Sequence, residues 1–428
     1  MKRHMYKLTH QNIVPGRIGQ IIPVLRQEVC PGDSFQGRIG ILCRFKGFAA
    51  PVLTPTYLDF YMFYVPNRLA WSGWEDFITG QDIAAGQDAS QDAVGGTFAV
   101  PTATHSDAFL SNNGGATNAL YSRGYNLIYN NYFKDEDDAD VAQTNTSYLN
   151  AYHLRNQYNE LRNDTSTFDT YAPVTTDPDG LTGDFVGAQD VRDAMRRQRF
   201  AERREMFGNR YFDLLRSYGV RTNYNMLERP ESLGKSRHVV SFTDIPATAD
   251  SDGVTVGDLA GHGIVGLHHR MPRKTFSEHG YLHGVIVVRP SQFINSASPK
   301  DAFKTSPSDY WAPEFEMETA QPVELRQVEQ TTSDFTIGYV PKFQEYRKAN
   351  NFIQKDYNGD STWGNEWTFE QNIIYPGTAA GCRDLIRKVD DTDYDDAFNS
   401  TSATEPHFRA LVHNGLTAYR LVGPQQKI

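Results

Sequence analysis

The sequence predicts a mainly β protein, a sandwich of antiparallel strands whose connecting loops have swollen into long mixed insertions. Three observations carry this. The first quarter is a series of strand-like runs broken by turn chemistry. Strand patterns return at 281–289, 334–340 and 408–421, so strands sit early, in the middle and at the very end. No repeat period links them, which argues against solenoids and propellers.

The elements follow in chain order. Ile18-Gly-Gln-Ile-Ile-Pro-Val-Leu25 and Val29-Cys-Pro-Gly-Asp-Ser-Phe35 contain strand-like runs with Pro31-Gly32-Asp33 as a turn, and 47–55 is an irregular connection. Residues 57–65 are apolar on both faces except for Asp59. Tyr57, Tyr61, Phe63 and Val65 lie on one side, and Leu58, Phe60, Met62 and Tyr64 on the other. Such a strand is covered twice, by an opposing sheet and by a further layer or a neighbouring subunit. Residues 71–78 suit a short helix, and 80–120 read as a long loop rich in Gly, Ala, Ser, Thr and Asp. The aromatic run 124–133 fits a buried helix or a strand equally well. Residues 135–186 are polar, with Asp177-Pro-Asp-Gly180 as a turn. The clearest helical pattern is 190–218, interrupted near Gly208-Asn209. There Arg192, Arg196, Arg199 and Arg203 share one face, either as a solvated, salt-bridged stripe or as a contact for phosphates or an acidic neighbour.

Composition bounds the function. In 428 residues, 39% hydrophobic and 22% charged residues allow a substantial core. No apolar run is long enough to span a membrane, and the start, Met1-Lys-Arg-His-Met-Tyr-Lys7, lacks the apolar core of a secretory signal. Cys30, Cys43 and Cys382 have no metal or disulfide spacing. The net charge of −10 argues against a general nucleic-acid binder. Yet residues 1–27 contain no Asp or Glu, while Lys2, Arg3, Lys7, Arg17 and Arg26 are all basic. This stretch is either a tail that happens to lack acids or an arm facing a phosphate-rich compartment, where each cation displaces a counterion.

The chemical motifs are weak. Gly261-His-Gly-Ile-Val-Gly266 matches a dinucleotide fingerprint by letter, but Pro272 cuts short the helix that would have to follow, so the glycines are assigned to a tight loop. Asp356-Tyr-Asn-Gly-Asp360 opens like a calcium loop and then has Ser361 and Trp367 where Gly and Glu are needed. The acidic runs 135–138 and 390–396 read as solvated loops, with a divalent cation between subunits as the minor alternative. His268, His269, His279 and His283 lack the partners of a metal site. No nucleophile, Walker or HExxH motif is present, and no confident metal ligand emerges. A carboxylate pair for glycoside cleavage stays open.

Several runs together resemble a known family: the opening strands, Leu58-Asp-Phe-Tyr-Met-Phe-Tyr-Val-Pro-Asn-Arg-Leu69, Trp71-Ser-Gly-Trp-Glu-Asp-Phe77 and Asn126-Leu-Ile-Tyr-Asn-Asn-Tyr-Phe133. They continue through Arg210-Tyr-Phe-Asp-Leu-Leu-Arg-Ser-Tyr-Gly219, Arg229-Pro-Glu-Ser-Leu-Gly234, Phe276-Ser-Glu-His-Gly-Tyr281, Val287-Val-Arg-Pro290, Asp309-Tyr-Trp-Ala-Pro313 and Gln344-Glu-Tyr-Arg347. In this order they are similar to the major capsid proteins of microviruses, small single-stranded DNA phages, and especially of the gokushovirus-like branch. The resemblance implies a non-enzymatic subunit with an eight-stranded antiparallel jelly roll, self-assembling in the host cytoplasm into a T=1 icosahedral shell around circular single-stranded DNA. It implies calcium as a candidate cation and, as candidate partners, a small basic DNA-packaging protein, a pilot protein and a scaffolding protein. On this reading residues 1–27 are a basic arm leading into the first strand. Residues 28–428 are one domain, with insertions at about 67–271 and about 290–405. The first insertion is expected to supply most of the intersubunit surface. The chain is short for a gokushovirus capsid protein, which puts the family's threefold surface protrusion in question. The competing reading is a secreted jelly-roll protein that binds or cleaves carbohydrate.

Overall fold

A computed structural model describes residues 3–79, 100–103, 110, 117–135, 138–141, 148–153, 158, 161, 229–246, 256, 259–294, 298–313, 315, 320–329, 331, 333–351, 353, 368–371, 373–398 and 405–423. The strands are β1 (His4–Lys7), β2 (His10–Gly16), β3 (Ile22–Val29), β4 (Ser34–Phe45), β5 (Thr56–Pro66), β6 (Thr102–Ala103), β7 (Thr117–Asn118), β8 (Glu231–Val239), β9 (Ser241–Pro246), β10 (Leu259–Thr275), β11 (Gly280–Pro290), β12 (Ala320–Glu324), β13 (Thr336–Pro341) and β14 (Phe408–Arg420). Helices α1 (Asn67–Ala70) and α2 (Trp74–Thr79) follow β5, and α3 (Leu120–Ile128) runs into a π-turn at Tyr129–Phe133.

Two antiparallel sheets form a sandwich. In the larger sheet β1 and β2 both pair with β14, which is followed by β4, β10 and β9. The smaller has the order β3-β11-β5-β8. Alternation explains the core between them. Phe35, Ile39, Ile41, Cys43 and Phe45 of β4 meet Leu58, Phe60, Met62 and Tyr64 of β5 in one cluster with alternate residues of β10, β11 and β14. The turn between β3 and β4 is closed by Asp33, whose carboxylate accepts from Cys30 N at 2.9 Å, while Gly32 takes the positive φ of 81°. Pro272 cannot donate to the ladder, and the β4–β10 register shifts between Met271 and Lys274.

The other face of β5 is covered too, as its two-sided pattern predicts. Phe63 and Val65 pack with Tyr121, Tyr125, Tyr129 and Phe133 in a second cluster. The aromatic run at 124–133 is thus helical. Tyr121 and Tyr125 donate from their hydroxyls to Leu25 O at 2.9 Å and Ile21 O at 2.7 Å, fixing α3 across the smaller sheet. Gly124 is needed there, since a Cβ would lie 2.8 Å from Nε2 of buried His283. A third cluster joins β12 and β13 to a helix at Ala379–Arg387, capped by Thr378.

Three expectations change. The stretch expected as an arm, 1–27, carries β1, β2 and most of β3: β1 and β2 pair with β14, and the apolar run 22–25 enters the smaller sheet beside β11. The first insertion is shorter than 67–271: β8, β9 and most of β10 inside that range are sandwich strands, which leaves 67–230. Gly261 and Gly263 lie within β10 and not in a tight loop. They face Phe48 and Phe45, and added Cβ atoms would stand 3.1 and 2.9 Å from those rings. The helical region 190–218, the calcium-like run 356–360 and the basic stripe Arg192, Arg196, Arg199 and Arg203 lie outside the described residues.

Candidate nucleic-acid interface

The sandwich has two outer faces, and they differ in cover and in charge. The outer face of the smaller sheet lies under α3, and its buried carboxylate is matched by arginines. Asp59, the polar exception in β5, is buried between Arg237 (2.5 Å) and Arg289. Burial pushes its carboxyl up, but the bonds and charges of the two guanidiniums outweigh this and hold it below the usual carboxylate range. Nearby, Arg387 pairs with Asp135 at 2.8 Å and Asp138 at 3.3 Å.

The outer face of the larger sheet carries none of the described helices. Alternation places Lys7 of β1, Gln11 and Ile13 of β2, Arg38, Gly40, Leu42 and Arg44 of β4, Gly266, His268 and Arg270 of β10, and Arg409, Leu411 and His413 of β14 on it. The register sets Arg44 directly opposite Arg409, and Arg38 directly opposite Arg270. Between these rows Ile13, Leu42 and Leu411 form an exposed aliphatic shelf across three strands. No Asp or Glu occupies an outward position of β1, β2, β4 or β14, nor of β10 from 262 to 270. Among the described residues none of Arg38, Arg44, Arg270 and Arg409 makes an ion pair. A groove of about 690 Å³ at one end is walled by Arg44, Arg409, Ile13, Leu42 and Leu411. Its one carboxylate, Glu405, pairs with Lys46.

The basic residues singled out from the sequence do not converge. Lys7 joins this face opposite Thr417. Arg3 reaches Ser34 Oγ at 3.5 Å, and Arg26 lies over the Tyr121 ring at 4.8 Å, on the α3 side. Arg17 is buried, its Nε 2.6 Å from Asp391 and its Nη2 2.6 Å from Asp395. Lys2 lies outside the described residues. The four histidines separate as well. His268 points outward, His269 bonds Ser236 at 2.8 Å, His279 meets Trp74, and His283 stacks on Tyr121 at 4.1 Å. Burial and the charge of Arg26 push the His283 ring down to about 3, so it is neutral. Sequence reasoning passed over Arg38, Arg44, Arg270 and Arg409. The signal was strand alternation in Arg38-Ile-Gly-Ile-Leu-Cys-Arg44 and Phe408-Arg-Ala-Leu-Val-His413.

Comparison with known proteins shows the chain's family. A model of the phage capsid protein (F protein) family matches residues 1–174 and 183–423. The chain belongs to this family. It is 21% identical to capsid protein VP1 of Chlamydia phage 1, covering 87% of this chain and 86% of the relative. That alignment spans 526 positions, more than the chain has residues, so the relative carries segments that this chain lacks. The chain is 24% identical to capsid protein VP1 of Bdellovibrio phage phiMH2K, over 77% of this chain and 78% of the relative. Capsid protein F of Escherichia phage G4 is 24% identical over 66% of this chain and 65% of its own length. The chain is therefore a major capsid protein of small single-stranded DNA phages, Microviridae, and a non-enzymatic component of the virion. The carbohydrate reading is set aside.

Proposed function

We propose that the sandwich is an eight-stranded jelly roll and that its copies close into a T=1 shell around a circular single-stranded DNA, with the bare face of the larger sheet turned toward the genome. Strand order supports the topology. Counting β2, β3, β4, β5, β8, β10, β11 and β14 as one to eight, the sheets read 1-8-3-6 and 2-7-4-5, as a jelly roll requires. The observation that carries the orientation is the contrast between faces: one lies beneath α3, while the other carries no helix among the described residues and is cationic.

With a net charge of −10, the subunit neutralises few phosphates by itself. A small basic DNA-packaging protein therefore shares that task, and scaffolding and pilot proteins act in assembly and delivery. Sedimentation of the purified chain, with electron microscopy of the fastest fraction, tests the reading. Pentamers or closed shells are expected. A chain that stays monomeric at high concentration, even when co-expressed with its scaffolding protein, would sink it.

A further inference from the structure

We infer that the two cross-strand arginine pairs, Arg44 with Arg409 and Arg38 with Arg270, are phosphate clamps that hold single-stranded nucleic acid along the bare face of the larger sheet. This rests on the capsid reading for the orientation of the face, and it names the residues and the ligand chemistry.

The first ground is electrostatic. Like charges directly opposite each other on neighbouring strands are destabilising. Here two such pairs occur on one face, and no outward carboxylate of the flanking strands relieves them. Several arginines elsewhere are matched by carboxylates: Asp59 serves Arg237 and Arg289, and Asp391 and Asp395 serve Arg17. A protein with ten excess acids has ample means to neutralise four arginines, and on this face none of the described acids does so. A polyanion supplies the missing charge, and arginine's fork suits phosphate oxygens.

The second ground is spacing and floor. Arg38 and Arg44 are six residues apart on β4, about 20 Å at the rise of an extended strand. One chain of phosphates can therefore run along the strands and meet both pairs. Between them Gly40 and Gly266 carry no side chain; nothing lies within 4 Å of a Cβ added at Gly266, and the His268 ring would stand 3.4 Å from one at Gly40. His268 and His413 flank the path, each directly opposite Gly40. The shelf of Ile13, Leu42 and Leu411, exposed by 76%, 41% and 40%, gives apolar contact to unpaired bases. A duplex would hide its bases from such a shelf, which favours a single strand. The contacts are to phosphate and to base faces, so binding is indifferent to sequence.

The test uses unassembled full-length subunits and a labelled oligo-dT of roughly thirty nucleotides, long enough to cover one such site. Affinity is measured by anisotropy across a salt series for wild type, for Arg44→Gln with Arg409→Gln, for Arg38→Gln with Arg270→Gln, and for all four together. Each lost phosphate contact lowers the slope of log K against log salt by about 0.7. Each pair is thus expected to lower it by about 1.4, and the quadruple variant by about 2.8. Melting temperatures should hold or rise, since a repulsion has been removed, so a folding defect cannot pass for lost binding. Arg347→Gln, an exposed cation elsewhere, should leave the slope within about 0.3 of wild type. An unchanged slope in the quadruple variant overturns the inference, as does a control that lowers the slope as much as a pair does. Binding of a polyglutamate probe that depends on the four arginines more than oligo-dT binding does would assign the face to an acidic protein and overturn it too. Wild-type subunits that bind through these arginines yet never form pentamers or shells keep the clamps and overturn the capsid reading alone.

Discussion

Asp393 sits partly buried beside Asp390 and Asp391, and burial together with these two charges pushes its carboxyl up to about 7. A folded carboxyl that holds its proton more tightly than the unfolded one contributes stability at low pH. That contribution is lost as pH rises from about 4 through about 7. The buried rings of His153 and His283, both pushed down to about 3, act the other way and lose stability as pH falls below about 6.5. Asp393→Asn separates these effects. Relative to wild type it should melt higher at pH 8, by on the order of 1 kcal/mol after solvent screening, and show little difference at pH 4. Thermal melts of unassembled subunits at the two pH values check this, and an equal difference at both would refute it. At this scale sequence reading was weakest. Arg17 looked like one more cation of a basic arm, because nothing local announces that Asp391 and Asp395 meet it from the far end of the chain.

β5 shows what strand periodicity does reveal. Its two apolar faces required two covers, and both exist: the opposing sheet on Phe60, and α3 with its π-turn on Phe63. The two sites should therefore fail differently. Phe60→Ala removes a ring between the sheets and is expected to lower the stability of the whole subunit by about 3–5 kcal/mol. Phe63→Ala, whose ring meets Tyr132 at 4.8 Å and Phe133 at 6.3 Å, should chiefly release the α3 layer. Hydrogen exchange would then show lost protection in 120–133 while β4, β10 and β14 keep theirs. Uniform loss of protection in both variants would mean that sandwich and layer are one cooperative unit. Periodicity failed where the signal was mixed. The glycines of β10 read as a loop because their use, making room for Phe45 and Phe48, is set by a strand more than two hundred residues away. The runs at 4–7 and 10–16 are half polar, so only their pairing with β14 marks them as strands.

Over the whole molecule, cover decides what is left for assembly. The smaller sheet has spent its outer face on α3, and the larger sheet's outer face is cationic and unsuited to meeting a copy of itself. Icosahedral closure needs heterologous contacts around several axes, and these are expected to fall to loops and edges outside the two sheet faces. The segment 67–230, between β5 and β8, is expected to supply most of the buried intersubunit area. Hydrogen exchange on closed shells against dissociated subunits measures this, since interface cores exclude solvent. Newly protected peptides should concentrate in 67–230 and be few on the outward side of β4 and β14 in shells emptied of nucleic acid. If less than about a quarter of the new protection maps to that segment, the shell is built on the sandwich edges instead. Strong protection of β4 and β14 in empty shells would place a protein, not the genome, against the arginine face.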